Sequence, residues 1–266
     1  MQPERLLTMN PDMAEKSAAQ PDRDRVERDE ELAAPLPGAR RLLAETLGTF
    51  ALTGVAATAG VMGAVTGNDI QTLSKAVAPG LLVMAFIYAV GDASGAHFNP
   101  AVTLGFTLRG VFPSRWLPTY WLSQIVGAIL AASMLRVLFG DAIDAGRTMP
   151  HVAPATAVAV EAFLTWLLLT VILGTADRFR IVGPNAALAV GGTIALCGLI
   201  AEPLTGASMN PARSIGPAVV SGNLTDLWVY IVGPVVGMLL AVLFTSLIHR
   251  APQDDKPVEA ATGDQA

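Results

Sequence analysis

The chain has few of the residues that enzymes and metal proteins use for chemistry. Only one of its 266 residues is cysteine and only three are histidine. A single cysteine, Cys197, excludes an internal disulfide framework. The histidines, His97, His151 and His249, are far apart in the sequence and form no pattern typical of a metal site or an activated nucleophile. We therefore expect no enzyme activity, no metal and no cofactor.

Charge is also scarce. Charged residues make up 15% of the chain and hydrophobic residues 52%, whereas soluble domains contain about 25% charged residues. The mean hydropathy is +0.51. Much of the net charge of −5 comes from acidic residues near the N-terminus. Segments 1–38 and 251–266 are polar and contain proline, so we expect two disordered tails, and the first is not a secretory signal.

Six apolar segments lie between these tails. Each approaches the roughly 20 residues that a helix needs to cross a bilayer, and one soluble core could not bury all six. They are residues 42–65, 77–91, 117–138, 155–173, 186–200 and 227–248. We therefore predict an all-α membrane protein with six transmembrane helices, formed by residues 39–250.

Basic residues predict how these spans are oriented. Since the number of spans is even, both tails lie on the same side of the membrane. Seven arginines fall on that side and three basic residues on the other; the seven are Arg40, Arg41, Arg109, Arg115, Arg178, Arg180 and Arg250, and the three are Lys75, Arg136 and Arg147. The positive-inside rule then places both termini in the cytoplasm of a multi-pass protein, which we assign to the plasma membrane.

The two halves of the chain repeat each other. Three features recur in the same order: AHFNPAVT at 96–103 with ASMNPARS at 207–214, Glu45 and Thr49 with Glu161 and Thr165, and QIVGAILA at 124–131 with PVVGMLLA at 234–241. Repeat one covers residues 39–140 and repeat two residues 151–250. Because each repeat has three spans, the second is inverted in the membrane, an arrangement that places the working site near the midplane.

The repeated Asn-Pro-Ala stretch predicts the start of a helix. Asparagine is a favoured N-cap and proline is favoured at the first helical position. The segment after Asn99 extends about ten residues to Gly110, roughly 15 Å of helix, which is half of a hydrocarbon core of about 30 Å. We therefore predict two re-entrant half-helices around a central pore. Their positive N-terminal ends meet near the midplane, where the asparagine amides offer N–H donors to a passing solute.

With six spans, an inverted repeat and the stretches SGAHFNPAVT (94–103) and SMNPARS (208–214), the chain resembles the aquaporins, or major intrinsic proteins. The resemblance implies a passive channel for water and small uncharged solutes that excludes protons and ions. It also implies a homotetramer with one pore per subunit. The motif residues expected to line the pore are Asn99, Pro100, Ala101, Asn210, Pro211 and Ala212. We expect the lipid bilayer as surroundings and no nucleic-acid partner.

The resemblance implies a selectivity filter built from Pro79, Gly198, Ala207 and Arg213. Water-selective members carry an aromatic residue at the second-span position and a histidine at the fifth-span position, where this chain has Pro79 and Gly198. A wider, more apolar opening would pass glycerol and small metalloid acids as well as water. Two alternatives remain at this point: Pro79 is the first residue of the second span, and Gly198 is a residue that lets two helices pack closely.

Other positions indicate the branch of the family and the residues that support the pore. Six residues together resemble the nodulin-like branch, whose members are of the aquaglyceroporin type; they are Ser214, Ala218, Tyr230, Ile231, Gly198 and Ala207. Acids inside a membrane are costly and usually functional, so we expect Glu45 and Glu161 to accept hydrogen bonds from the loops that hold the asparagines. His97 is expected to brace its loop. Asp92 either tunes the inner mouth or is an exposed carboxylate.

Other functions fit the sequence less well. A strictly water-selective channel is the first alternative. A coupled secondary transporter would also use an inverted repeat, but it would place ionisable groups at the midplane, where this chain has two neutral asparagines. A structural membrane protein with a closed pore is the third alternative.

Overall fold

The computed structural model describes residues 37–68, 72–176 and 184–248. The architecture below is that of the unit that begins at Arg40, together with the first three residues of its N-terminal helix, Pro37–Ala39. The predicted disordered tails lie outside the described residues, apart from Pro37 and Gly38 at the start of the first helix.

All regular structure in the described ranges is helical. The α-helices are α1 Pro37–Thr66, α2 Thr72–Ser94, α3 Pro100–Leu108, α4 Leu117–Phe139, α5 Pro154–Ala176, α6 Pro184–Thr205, α7 Pro211–Ser221 and α8 Val229–Ile248. Two short 3-10 segments, Ser114–Trp116 and Gly140–Gly146, flank α4. The predicted all-helical fold class is therefore confirmed.

Six of these helices are long and apolar enough to cross a membrane, which confirms the six predicted spans. They are α1, α2, α4, α5, α6 and α8. The observed helices α2 and α6 extend beyond the predicted segments 77–91 and 186–200. Hydropathy detects only the part of a helix inside the hydrocarbon, whereas the backbone stays helical into the interfacial zone, where polar side chains reach water. Lys75 and Glu202 are two such side chains.

The remaining helices, α3 and α7, have 9 and 11 residues. At about 1.5 Å per residue each spans roughly half of the hydrocarbon core. Each begins directly after the asparagine of its motif and follows the C-terminal end of a long helix, α2 or α6, through a short loop. The chain therefore turns back at mid-depth twice, once in each repeat.

Helix packing follows the repeat. The half-helix α7 packs against α4 and α3 packs against α8, while α2 packs along α6. Gly127 of α4 lies against the carbonyl of Thr46, and Gly237 of α8 lies against the carbonyl of Ala162. A Cβ atom at either glycine would overlap with that oxygen, so only glycine allows the backbones to approach this closely. The two glycines occupy the same place in the aligned stretches 124–131 and 234–241.

Two terms define position along the pore. The tail side is the side on which α1 begins and α8 ends, and the distal side is the other. Because the six spans alternate in direction, α2 begins and α6 ends on the distal side.

Candidate functional site

Each half-helix is capped by the asparagine of its motif. The side-chain oxygen of Asn99 accepts a hydrogen bond from the backbone N of Ala101 at 2.9 Å. The side-chain oxygen of Asn210 accepts from the backbone N of Ala212 at 3.0 Å and of Arg213 at 3.3 Å. Proline follows at the first helical position in both cases. The side-chain oxygen of each asparagine therefore caps the helix, and the side-chain nitrogen makes a different contact.

The two asparagine nitrogens connect the motifs to each other. Asn99 Nδ2 donates to the carbonyl of Met209 at 2.8 Å, and Asn210 Nδ2 donates to the carbonyl of Phe98 at 2.8 Å. Both asparagines are buried and line a cavity. Since an amide nitrogen carries two hydrogens, each asparagine retains one N–H beyond this crossed pair of bonds.

The loops before the motifs have an unusual backbone. Four non-glycine residues adopt positive φ angles: Ala96 at 52°, Phe98 at 49°, Ala207 at 42° and Met209 at 54°. This left-handed region is costly for residues with a Cβ. It occurs at equivalent positions in both repeats. Such a conformation persists only where surrounding groups hold it.

Glu45 supplies that support in the first repeat. It is fully buried and accepts four hydrogen bonds, from the backbone N of His97 at 2.9 Å and of Phe98 at 2.8 Å, and from Ser94 Oγ and Gln124 Nε2, both at 2.7 Å. A buried carboxylate is stable only when its oxygens are saturated in this way. The loop and the carboxylate therefore stabilise each other.

Glu161 is the counterpart in the second repeat. It is also fully buried and accepts from the backbone N of Ser208 at 2.9 Å, the backbone N of Met209 at 2.8 Å and Thr205 Oγ1 at 2.7 Å. Among the described residues it has no counterpart of the Gln124 donor, since the aligned position in the second repeat is Pro234.

Two tyrosines complete the support of the loops. Tyr120 donates its hydroxyl to the carbonyl of Ser94 at 2.9 Å, and Tyr230 donates to the carbonyl of Thr205 at 2.7 Å. Sequence reasoning missed Tyr120 and Gln124, and it treated Tyr230 only as a branch marker. The signal was available, because each tyrosine precedes its packing glycine, Gly127 or Gly237, by seven residues.

His97 lies at the centre of an aromatic cluster. Its ring contacts Phe106, Phe112 and Tyr120, with centroids 4.6, 5.0 and 5.3 Å away. Its Nδ1 is 3.1 Å from Thr103 Oγ1. The second repeat replaces this arrangement with a chain of hydroxyls. There Ser214 Oγ is 2.6 Å from Ser208 Oγ and accepts from Thr148 Oγ1 at 2.9 Å.

The structure brings the predicted filter residues and the two motif asparagines together around one cavity of about 540 Å³. The other four motif residues are buried in their half-helices and are not among the described residues that line this cavity; they are Pro100, Ala101, Pro211 and Ala212. The lining includes Asn99, Asn210, Pro79, Gly198, Ala207 and Arg213. A second cavity of about 20 Å³ continues toward the tail side. The two cavities share four lining residues, which are Ala96, Val102, Ile172 and Val190. The larger cavity therefore forms a distal vestibule and extends past the asparagine pair to the apolar residues that it shares with the small tail-side cavity.

The structure distinguishes between the alternative interpretations of two predicted filter positions. Pro79 lies more than a turn inside α2, so the interpretation that it begins the second span is wrong. Gly198 lines the cavity and also packs closely against α2. A Cβ atom at Gly198 would lie 2.7 Å from Ala76 Cα. Both interpretations of Gly198 therefore hold, and a bulky side chain there would displace α2.

Arg213 is the charged residue among the four predicted filter positions. It lies in the first turn of α7, is 9% exposed and lines the cavity. Its Nη2 donates to the carbonyl of Ala56 at 3.3 Å, and its Nη1 has no partner among the residues that the structure describes. Together with the N-terminal ends of α3 and α7, the guanidinium makes this part of the cavity electropositive.

Three further candidates lie away from the cavity. Asp92 is exposed near the end of α2, as expected for a carboxylate at the protein surface. Ile231 is exposed on α8, and Ala218 is buried in α7. None of the three is among the described residues that line the cavity.

Comparisons with known proteins agree with this geometry. The sequence model of the family described as "Major intrinsic protein" matches residues 34–245. Aquaporin NIP1-1 of Zea mays is 44% identical over 228 residues, 85% of this chain and 80% of the maize protein. Aquaporin NIP1-2 of Arabidopsis thaliana is 38% identical over 242 residues, 88% of this chain and 81% of that protein.

A solved structure gives the same result for the fold. The X-ray structure of the aquaglyceroporin from Plasmodium falciparum matches with a TM-score of 0.71 and 27% sequence identity. The match covers 78% of this chain and 95% of that chain. The NIP-type relatives and the aquaglyceroporin fold confirm the predicted resemblance to the nodulin-like branch.

Proposed function

This chain belongs to the major intrinsic protein family, whose members are transmembrane channels and not enzymes, and on this premise we propose that its pore conducts glycerol and other small neutral hydroxylated solutes as well as water. Transport is passive, and protons and ions are excluded. The proposal rests on one observation, the composition of the filter layer.

The filter layer has one polar side chain and an otherwise apolar wall. Pro79, Gly198 and Ala207 carry no hydrogen-bonding group in their side chains, while Arg213 offers several N–H donors. A polyol has hydroxyl groups along one edge and CH groups along the other. The hydroxyls take hydrogen bonds from the guanidinium while the CH groups slide along the apolar wall, so the solute loses little on leaving water.

The asparagine pair supports the exclusion of ions. Asn99 and Asn210 use their oxygens as caps, so what they offer a solute at the midplane is N–H donors. A water or alcohol oxygen accepts such a bond, whereas a cation has nothing to coordinate. The positive ends of α3 and α7 and the charge of Arg213 add an electrostatic barrier.

The chemistry of the acids supports a passive channel over a coupled transporter. The carboxylate oxygens of Glu45 and Glu161 accept hydrogen bonds from the loops. Neither residue is among the described residues that line the cavity. A coupling ion would need free carboxylates near the asparagines. One observation favours a second candidate, a strictly water-selective channel: the close packing of Gly198 on Ala76 holds α2 and α6 together and limits the width of the filter.

We further propose that the channel lies in the plasma membrane with both termini in the cytoplasm and assembles as a homotetramer with one pore per subunit. The excess of arginine on the tail side supports the orientation, and family membership supports the assembly.

Stopped-flow light scattering on proteoliposomes tests the function. We expect faster glycerol entry than in protein-free vesicles. Substituting Pro79→Trp should lower glycerol permeability about tenfold, which corresponds to about 1.4 kcal/mol of added barrier, and lower water permeability less. Leu81→Trp is the matched control, because Leu81 is 56% exposed on the same helix and outside the cavity. Water flux without glycerol flux in the parent would establish the water-selective alternative.

A further inference from the structure

An ion pair lies at the distal mouth of the cavity. Lys75 Nζ of α2 is 3.5 Å from Glu202 Oε1 of α6, and the two side chains are 27% and 20% exposed. Both residues line the larger cavity, and Glu202 is the only carboxylate among its described lining residues. Both groups are therefore accessible to a solute that enters the vestibule.

The position of this pair relative to the filter follows from helix geometry. Lys75 precedes Pro79 by four residues on α2, and Glu202 follows Gly198 by four residues on α6. Residues four apart lie on the same helix face, about one turn or roughly 6 Å from each other along the helix axis. Because α2 and α6 cross the membrane in opposite directions, both displacements point to the distal side. The pair therefore forms a layer directly outside Pro79 and Gly198, two of the three filter positions that lack hydrogen-bonding side chains.

The chemistry of the pair suits a neutral polyol. The ammonium group offers three donors and the carboxylate offers acceptor sites on two oxygens. A hydroxyl group both donates and accepts, so a solute with two neighbouring hydroxyls can use both partners at once. The pair has no net charge and does not attract ions of one sign.

We propose that Lys75 and Glu202 form a recognition site for hydroxylated solutes and determine the specificity of the channel together with the filter. The pair supplies, one turn farther out, the donor and acceptor that Pro79 and Gly198 do not provide. This inference rests on the proposed glycerol conductance.

A purely structural role for the pair is the competing explanation. The seam between α2 and α6 is already held by direct backbone packing of Gly80 against Gly191 and of Gly198 against Ala76. Partly exposed ion pairs add little stability. Variants that keep the hydrogen bonding but remove the charge separate the two roles.

The test compares amide and apolar variants at both positions. Glu202→Gln and Lys75→Gln keep a hydrogen-bonding group, whereas Glu202→Leu and Lys75→Met remove it at similar size. We expect the ratio of glycerol to water permeability to stay within about twofold of the parent in the amide variants. It should fall about fivefold in the apolar variants, as expected for the loss of roughly one hydrogen bond. Asp141→Leu is the control, because it breaks the Arg136–Asp141 pair, 3.1 Å long and outside the cavity lining.

The outcomes distinguish the proposals. An equal fall in the amide and apolar variants identifies the pair as a structural tie and overturns the inference. An unchanged ratio in all four variants overturns it as well. A parent that conducts water but no glycerol overturns the proposed function and this inference with it. A parent that conducts glycerol with a ratio independent of these residues overturns this inference alone.

Discussion

Replacing Glu161 with glutamine tests the support of the second loop. The change keeps the size of the side chain but turns one acceptor oxygen into an N–H donor. In the unsubstituted protein, Oε1 of Glu161 accepts from Thr205 and Ser208, and Oε2 accepts from Met209. If the amide nitrogen replaces Oε2, the N–H of Met209 faces another donor. If the amide nitrogen replaces Oε1, the N–H of Ser208 faces another donor. In either orientation at least one buried backbone N–H loses its partner.

The magnitude follows from these contacts. An unsatisfied buried donor costs about 1–3 kcal/mol, and the remaining bonds lose the benefit of a charged acceptor. We expect Glu161→Gln to lower the free energy of unfolding by about 2–3 kcal/mol. For a chain of this size that corresponds to a fall in apparent Tm of about 4–12 °C. Water permeability should fall too, since Met209 accepts the bond from Asn99.

Thermal unfolding in detergent and stopped-flow water flux measure the two effects. Asp92→Asn is the matched control, because it makes the same chemical change at an exposed carboxylate and should alter neither quantity. An unchanged Tm together with unchanged water flux in Glu161→Gln would refute the argument that the carboxylate holds the loop.

Two further predictions concern packing and charge. Gly237→Ala should lower the Tm by several degrees, because its Cβ would overlap with the carbonyl of Ala162, whereas Gly192→Ala, with open space around its Cβ, should not. Arg213→Val should leave water flux largely intact but raise proton leak about tenfold, as expected for an electrostatic barrier lowered by about 1.4 kcal/mol. A pH-sensitive dye inside the vesicles measures the leak, and a variant as proton-tight as the parent would contradict the electrostatic argument.

The sequence predicts the parts of this fold that depend on local chemistry. Apolar length predicts the six spans, and the asparagine and proline of each motif predict where α3 and α7 begin. Glu45 and Glu161, one in each repeat, are identified as candidate functional residues because a charge inside a membrane is so costly. The structure gives them matching sets of bonds to the two loops.

The parts that depend on helix packing are harder to predict. Gln124 reaches Glu45 from another helix, and no periodicity indicates which helices become neighbours. The predicted spans do not include Lys75 and Glu202, because those spans were defined by apolar residues alone. In the structure both residues lie on the long helices and line the vestibule. The double role of Gly198 is recognised only from its contact with Ala76, and that contact depends on how α2 and α6 pack against each other.

The crossed bonds of the asparagines have a consequence for how the protein is made. Asn99 binds the carbonyl of Met209, 110 residues later in the chain, and Asn210 binds the carbonyl of Phe98, 112 residues earlier. During synthesis the first repeat enters the membrane with the Nδ2 of Asn99 and the carbonyl of Phe98 awaiting these partners. Both partners arrive together when the second repeat inserts. The pore is thus completed only at a late step of biogenesis, and a truncated first half lacks the contacts that close its own centre.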